Sequence, residues 1–449
     1  MLPLVICLTA GVAIWLIFRP GILSFDSVAQ IDQAFSQSFN DANPPLMAVI
    51  LSLVLRIGGG VTHVVLAQCL LGISGVFLLA RVVCQLKIED AVSRWHALAV
   101  TLVLLCPISP LAVYIATFWK DVWEMISMCW VAVFSLRLLS GRTDWVSLIG
   151  LHVAMLVSLL SRHNALVLLP AYGVLVAVIV SNPSSRWGQV AAFCLPTALF
   201  VLTDQTLRSG WNVARTDFIR CARVNEMIDM CATNPDIEKE SPLMQAVLIP
   251  NYRANHITGF GGRNLIKFLD KGVSPAFWSP SGMQEFHREY WRALRNHPLA
   301  FLRTKWNEFV YHLRNYRSNP SGKFQNAVHP NDHGLAFKPE TASIRTWLFD
   351  CLSLGFTHPV YQWFFTRHVV WLPICAAWVS LLLLRPIRID VRLAAIPLLM
   401  LIALCYYLSY ALVSIDGDFR YMYPSSLVVQ VITLSTMARS LAMRSSCKI

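Results

Sequence analysis

Ser24-Phe25-Asp26-Ser27 and Asn40-Asp41-Ala42-Asn43-Pro44-Pro45-Leu46 put carboxylates into one short stretch that directly follows a hydrophobic N-terminal segment. A carboxylate fixed at a water–membrane boundary can orient a hydroxyl or take its proton. Asp26 is the candidate base, and its competing role is to cap a helix over 27 to 35. Asp41 is a candidate acceptor contact or metal ligand, although Asn-Asp before Pro-Pro is also ordinary turn chemistry. Further along, Lys120 suits a phosphate group while Asp121 can position an acceptor or a cation; an internal ion pair anchoring a helix end is the plainer alternative. Arg162, followed by Asn164, can clamp phosphate with its planar guanidinium or can simply snorkel to the interface. Asp416, Asp418, Arg420 and Tyr421 crowd a late turn. Arg420 is the candidate phosphate or pyrophosphate contact there, with Tyr421 beside it and the two aspartates as loop structure. Carboxylates in this number can also hold Mg²⁺ or Mn²⁺ against a phosphate.

These residues need elements to position them, and composition says which kind. The chain is 56% hydrophobic and 14% charged, with a mean hydropathy of +0.54, which excludes an ordinary soluble globular protein. Met1 to Phe18 lacks a basic flank and a small-x-small cleavage site, so it is expected as a retained first helix. Spans are expected near 2 to 18, 62 to 84, 95 to 116, 119 to 138, 145 to 161, 165 to 182, 188 to 206, 368 to 384, 391 to 413 and 425 to 440. The apolar segment 45 to 58 is short for a span and is expected at the interface or re-entrant. With the N-terminus inside, Arg81, Lys87, Arg94, Arg137, Arg142, Arg186, Arg385, Arg388, Arg392 and the tail with Arg439, Arg444 and Lys448 all fall on the cytoplasmic side. The first loop (19 to 61), the turns at Lys120-Asp121 and Arg162-His163-Asn164, the long loop from about 207 to 367, and Asp416 to Tyr423 then share the opposite face. Charged groups near membrane depth are costly and usually functional, so one outward-facing site is expected.

The long loop mixes aromatic residues with 19 Lys and Arg against 13 Asp and Glu over 208 to 350. Such a balance suits anionic head groups, phosphate or pyrophosphate. Met283 to Asn296 and Leu299 to Tyr316 are expected as helices split by His297-Pro298. Phe286, Tyr290, Trp291, Leu294, Phe301, Trp306, Phe309 and Leu313 belong either to helices lying at the interface or to the domain's own core. Most of the twelve cysteines sit in expected spans as small apolar residues; Cys221, Cys231 and Cys351 face outward, and a Cys221 to Cys231 bridge fits an oxidising compartment. There is no zinc pattern, nucleotide-binding loop or internal repeat in the sequence, and nothing points to nucleic acid. The expected architecture is an all-α integral membrane protein of about ten transmembrane helices with one large extramembrane loop domain. Its parts are an N-terminal membrane module (1 to 206), the loop domain (207 to 367), and C-terminal helices with a cytoplasmic tail (368 to 449).

Gly21-x4-Asp26-Ser27-x2-Gln30, Asn40-Asp41-x2-Pro44-Pro45-Leu46, Trp119-Lys120-Asp121 and Arg162-x-Asn164 resemble motifs of the GT-C superfamily of membrane glycosyltransferases, specifically bacterial members. The resemblance covers most of the expected helices and is weak in the long loop. Where many such proteins have His before Pro-Pro, this chain has Asn43. The resemblance implies a GT-C-like outer face and transfer of a sugar from a polyprenyl-phosphate donor to a lipid-linked or cell-surface glycan acceptor. It also implies a bacterial inner membrane with both termini cytoplasmic. On that expectation Asp26 and Asp121 are catalytic, while Asp41, Lys120, Arg162, Asn164, Arg420 and Tyr421 bind substrate. The alternatives are an O-antigen polymerase or ligase and, in another class, a lipid or solute transporter.

Overall fold

A computed structural model describes residues 1–86, 90–141, 144–180, 186–216, 218–245, 279–314, 324–384, 391–412 and 419–446. The described residues are helical, joined by turns and three isolated β-bridges. Among the described residues six helices are long and apolar enough to cross a membrane, or seven when the bent pair Pro359–Phe365 and His368–Leu381 is one span. The chain is a multi-pass helical membrane protein. Of the other expected spans, 2 to 18 and 145 to 161 are apolar helices of 17 residues each.

In chain order the first helices are α1 (Leu2–Phe18), α2 (Phe25–Ser36), α3 (Leu46–Arg56), α4 (Val61–Gln85), α5 (Asp90–Leu104), α6 (Leu111–Ile115), α7 (Lys120–Leu139) and α8 (Trp145–Ser161). A 3-10 turn over His163–Leu168 leads into α9 (Leu169–Val180) and α10 (Arg186–Gly210). Then come α11 (Phe218–Thr233), α12 (Pro235–Glu240), α13 (Pro280–Asn296), α14 (Pro298–Arg314), α15 (Ala342–Thr357), α16 (Pro359–Phe365), α17 (His368–Leu384), α18 (Val391–Leu412) and α19 (Phe419–Ser446).

The expected single span over 95 to 116 is broken: α5 stops at Leu104 and α6 starts at Leu111. Pro107 and Pro110 explain the break, since proline lacks the helical N–H and disfavours helix at the residue before it. The turn between them packs tightly on α15, where a Cβ on Gly355 would lie 1.9 Å from the Ile108 carbonyl oxygen. The short α6 is buried throughout, and it delivers the chain to the start of α7.

The chain forms two compact units. One comprises Met1–Arg215, Lys323–Ser409 and Arg420–Ile449, and the other Thr216–Gly322 with Tyr410–Phe419. In the first, α7 packs against α8 and α4, and α4 against α1 and α5. Residues 324 to 357, which the sequence groups with the long loop, belong to this unit: Leu23 pairs with Val328, and Thr341 Oγ1 donates to the Ile17 carbonyl at 2.9 Å. The second unit has its own core of Val224, Met227, Ile228, Met283, Phe286 and Tyr290, drawn from α11 and α13. The expected break at His297-Pro298 separates α13 from α14. Cys231 is a free buried thiol in that core, and burial pushes its thiol up to about 12; the side chain of Cys221, its expected partner, lies outside the described residues.

Candidate functional site

The site is assembled by backbone pairing before any charge enters it. After α1 the chain turns at Gly21, whose φ of +134° and approach to Val65 exclude a side chain. Ile22 then pairs in parallel with Thr117: its N–H donates to the Ala116 carbonyl at 3.0 Å, and its carbonyl accepts from Phe118 N–H at 2.9 Å. Ser24 opens α2 with a capping box to Ser27. Ser24, and not Asp26, is therefore the cap, which corrects the expected competing role of Asp26 and leaves its carboxylate to reach elsewhere. Ser27 Oγ donates to the Phe118 carbonyl at 2.7 Å, and Trp119 Nε1 donates to Ser24 Oγ at 2.7 Å. These bonds hold the first turn of α2 beside the first turn of α7, so Asp26 is fixed near Lys120 and Asp121.

Around that frame the cations converge. Arg420, in the first turn of α19, pairs with Asp26 at 2.9 Å and lies 4.0 Å from the Asp121 carboxylate. Arg162, just after α8, forms an ion pair with the other Asp121 oxygen and donates from Nε to Asn164 Oδ1 at 3.1 Å. Asn164 in turn donates to Ser409 Oγ at 3.0 Å. Both guanidinium groups lie on Tyr421, at 4.6 Å for Arg162 and 5.2 Å for Arg420, and Arg420 also lies on Trp119 at 4.8 Å. Aromatic faces of this kind hold a guanidinium in a fixed plane. Tyr114 of α6 fixes the Arg420 backbone by donating to its carbonyl at 2.8 Å.

Lys120 donates to Asn43 Oδ1. The expected internal Lys120–Asp121 pair gives way to this arrangement, because Asp121 faces the two arginines. Asn43 thus supplies a neutral partner, and the positive charge of Lys120 stays uncompensated by any carboxylate at bonding distance. Lys120, Arg162 and Arg420 stand against Asp26 and Asp121, three cations to two carboxylates, and the site carries a surplus of positive charge. Asp121 is wholly buried whereas Asp26 is 28% exposed. Burial pushes the Asp26 carboxyl up, but Arg420, Lys120 and Arg162 together outweigh it and lower it from 3.8 to about 2.

Asp41 stands apart from this cluster. Its carboxylate pairs with Arg208 at 2.8 Å, and Arg208 also holds Asp204 at 2.8 Å. The link to the site runs through backbone, since the His163 ring contacts the Asp41 carbonyl at 3.1 Å. Asp416 and Asp418 lie outside the described residues. Among the described residues no group of three or more His, Cys, Asp or Glu is placed to hold a metal ion, and both site carboxylates are already engaged by guanidinium groups.

Beside Lys120, Pro44, Leu46, Met47, Ile50, Trp123 and Ser161 line a narrow crevice with no room for a water molecule. Its walls are apolar and a cation stands at its edge.

One buried group was missed at the sequence level. Glu124, one turn into α7, is fully buried; Ser158 of α8 donates to its Oε1 at 2.8 Å and also pairs with the Tyr172 hydroxyl at 2.8 Å. Its Oε2 accepts no hydrogen bond. An acidic residue inside Val122-Trp123-Glu124-Met125-Ile126 is itself the signal that could have found it.

No protein-family model, curated protein or solved structure matches the chain.

Proposed function

We propose that this protein is a membrane glycosyltransferase of the GT-C type, which moves a sugar from a polyprenyl-phosphate donor to a glycan acceptor. The observation that carries the proposal is the site's charge: Arg420, Arg162 and Lys120 gathered with two carboxylates at the ends of apolar helices. The cations suit the donor phosphate, and the apolar helices around them suit a lipid-linked substrate. In the reaction, the bond from the sugar's anomeric carbon to phosphate oxygen breaks and its electron pair leaves with the phosphate. The acceptor hydroxyl oxygen forms the new bond and gives its proton to Asp26. Arg420, Arg162 and Lys120 stabilise the charge that collects on the phosphate. Asp121 is a positioning residue, holding both guanidinium groups. The accompanying topology has ten spans, the 17-residue helices α1 and α8 among them, with both termini cytoplasmic in a bacterial inner membrane and the site on the outer face. The second unit is the extramembrane domain in this account.

Arg420 is paired with Asp26. Donor phosphate competes for the same guanidinium, so its arrival releases the carboxylate that must act as base. The test is binding of a short-chain polyprenyl phosphate to purified protein. Arg420→Gln is expected to weaken binding about 10- to 100-fold, the value of a lost charge-assisted hydrogen bond. Asp26→Asn is expected to strengthen it, and to strengthen it less in the Arg420→Gln background, where the direct competition is gone. Absence of binding by the native chain would sink the glycosyltransferase proposal.

A second reading, a lipid or solute transporter, draws support from Glu124, a carboxyl group buried within a candidate span. Tight binding of the phosphate lipid with movement across vesicles and no sugar transfer would favour it.

A further inference from the structure

Helix α14 buries a mixed face, with Phe309 and Leu313 beside several polar residues, and exposes an apolar stripe. The residues it buries in the second unit include Thr304, Lys305, Glu308 and His312, while Leu299, Leu302 and Trp306 are 78, 59 and 64% exposed. The buried polar side is accounted for within the unit. Lys305 is paired with both Glu226 and Glu308, the latter at 3.2 Å, and Tyr290 donates to Glu226 at 2.6 Å. The exposed apolar side has no such account inside the unit.

Leu299, Leu302, Arg303 and Trp306 follow the i, i+3, i+4, i+7 spacing, which puts all four on one face of a helix. Arg303 is exposed, as are Arg292 and Arg295 at the end of α13. Trp291 on α13 is 53% exposed too. A stripe of leucine and tryptophan edged by arginine is the composition of a helix lying in a lipid head-group region, with rings at the boundary and guanidinium groups on anionic phosphates. The chain supplies the remaining argument. It enters this unit a few residues after α10, a candidate span, and Tyr410 belongs at once to the unit and to the candidate span Ala395–Leu412. The unit is therefore tethered to candidate spans at two points, before Thr216 and at Tyr410.

We infer that the Leu299–Leu302–Trp306 face of α14, with Arg303, is a docking surface for anionic lipid of the membrane in which the protein sits. The contact would hold the second unit against the bilayer surface and would stand whichever reaction the first unit performs.

The full chain is reconstituted in vesicles of phosphatidylcholine alone or mixed with phosphatidylglycerol, each containing a lipid with a photoactivatable carbene precursor near the head group. Labelled peptides are then mapped by mass spectrometry. The expected result is label on the peptide carrying Leu302 and Trp306, increased by phosphatidylglycerol. Leu302→Asp with Trp306→Asp should abolish it, and both positions are exposed, so the core of the unit is left intact. Arg303→Glu should lower it about fivefold in the anionic vesicles only. A peptide without label while the candidate spans are labelled would overturn the inference. So would its protection by a cross-linked second copy. Labelling indifferent to head-group charge and to Arg303→Glu would overturn the assignment to anionic lipid.

Discussion

Asp26 and Arg420 carry the account at the scale of single residues. As long as Arg420 holds it, Asp26 is a weak base, because the cations around it lower its carboxyl to about 2. Its contribution to stability is present above its ordinary value of 3.8 and is lost as pH falls toward about 2. The same pairing sets a pH dependence for the reaction. In Arg420→Gln the carboxyl loses its nearest cation and should titrate upward. An acidic limb in the rate against pH is then expected to appear at least one pH unit higher than in the native chain; pH–rate profiles at saturating acceptor check this, and superimposable limbs would show that Arg420 does not govern Asp26. Most of this cluster was legible in the sequence, since Asp26, Lys120, Asp121, Arg162, Asn164, Arg420 and Tyr421 come together from four separate stretches. Their partners were not legible. Which cation meets which carboxylate depends on packing: Asp41 is taken by Arg208 from the end of α10, and Lys120 turns to Asn43 and away from its own neighbour.

At the scale of elements, the site rests on irregular pieces between helices. The Ile22–Thr117 bridge and the turn around Pro107 and Pro110 bring α2 to the start of α7. Hydropathy alone runs the segment 95 to 116 together as one span, because the turn is as apolar as the helices it joins. Its two prolines were the available contrary signal. The close approach of that turn to α15 predicts that Gly355→Ala forces the backbone apart, at a cost of about 1–3 kcal/mol typical of overpacking. Gly210→Ala, where a Cβ meets nothing within 4 Å, serves as the control. Thermal unfolding of the purified protein should show a lower midpoint for Gly355→Ala only; equal midpoints would mean that the turn yields freely.

For the whole molecule, the membrane class followed from composition, and the helical signal from hydropathy. The division into two units did not follow the expected limits, because residues 324 to 357 carry no mark in sequence that they pair with the first loop. The aromatics of α13 and α14 split between both expected roles. Phe286, Tyr290 and Phe309 are core, whereas Trp291 and Trp306 are exposed. The second unit also carries a pH dependence of its own. Burial pushes the Glu308 carboxyl up from 4.5 to about 7, with Lys305 pulling it back only in part. A raised carboxyl stabilises the fold below its unfolded value and loses that contribution as pH rises through about 7. The loss is worth on the order of 3 kcal/mol. Hydrogen exchange over α14 should therefore quicken between mildly acidic and neutral pH, beyond the intrinsic change, and Glu308→Gln should flatten the response. A native profile as flat as that of the variant would remove Glu308 as its source.

The measurement that meets the central claim most directly is transfer of a labelled sugar from synthetic polyprenyl-phosphate donors to lipid-linked acceptors by the purified, reconstituted chain, with Asp26→Asn alongside. The account predicts transfer by the native protein and its loss in Asp26→Asn, while the variant still binds polyprenyl phosphate at least as tightly. Transfer undiminished in the variant, or no transfer from any donor that the native protein binds, would contradict it.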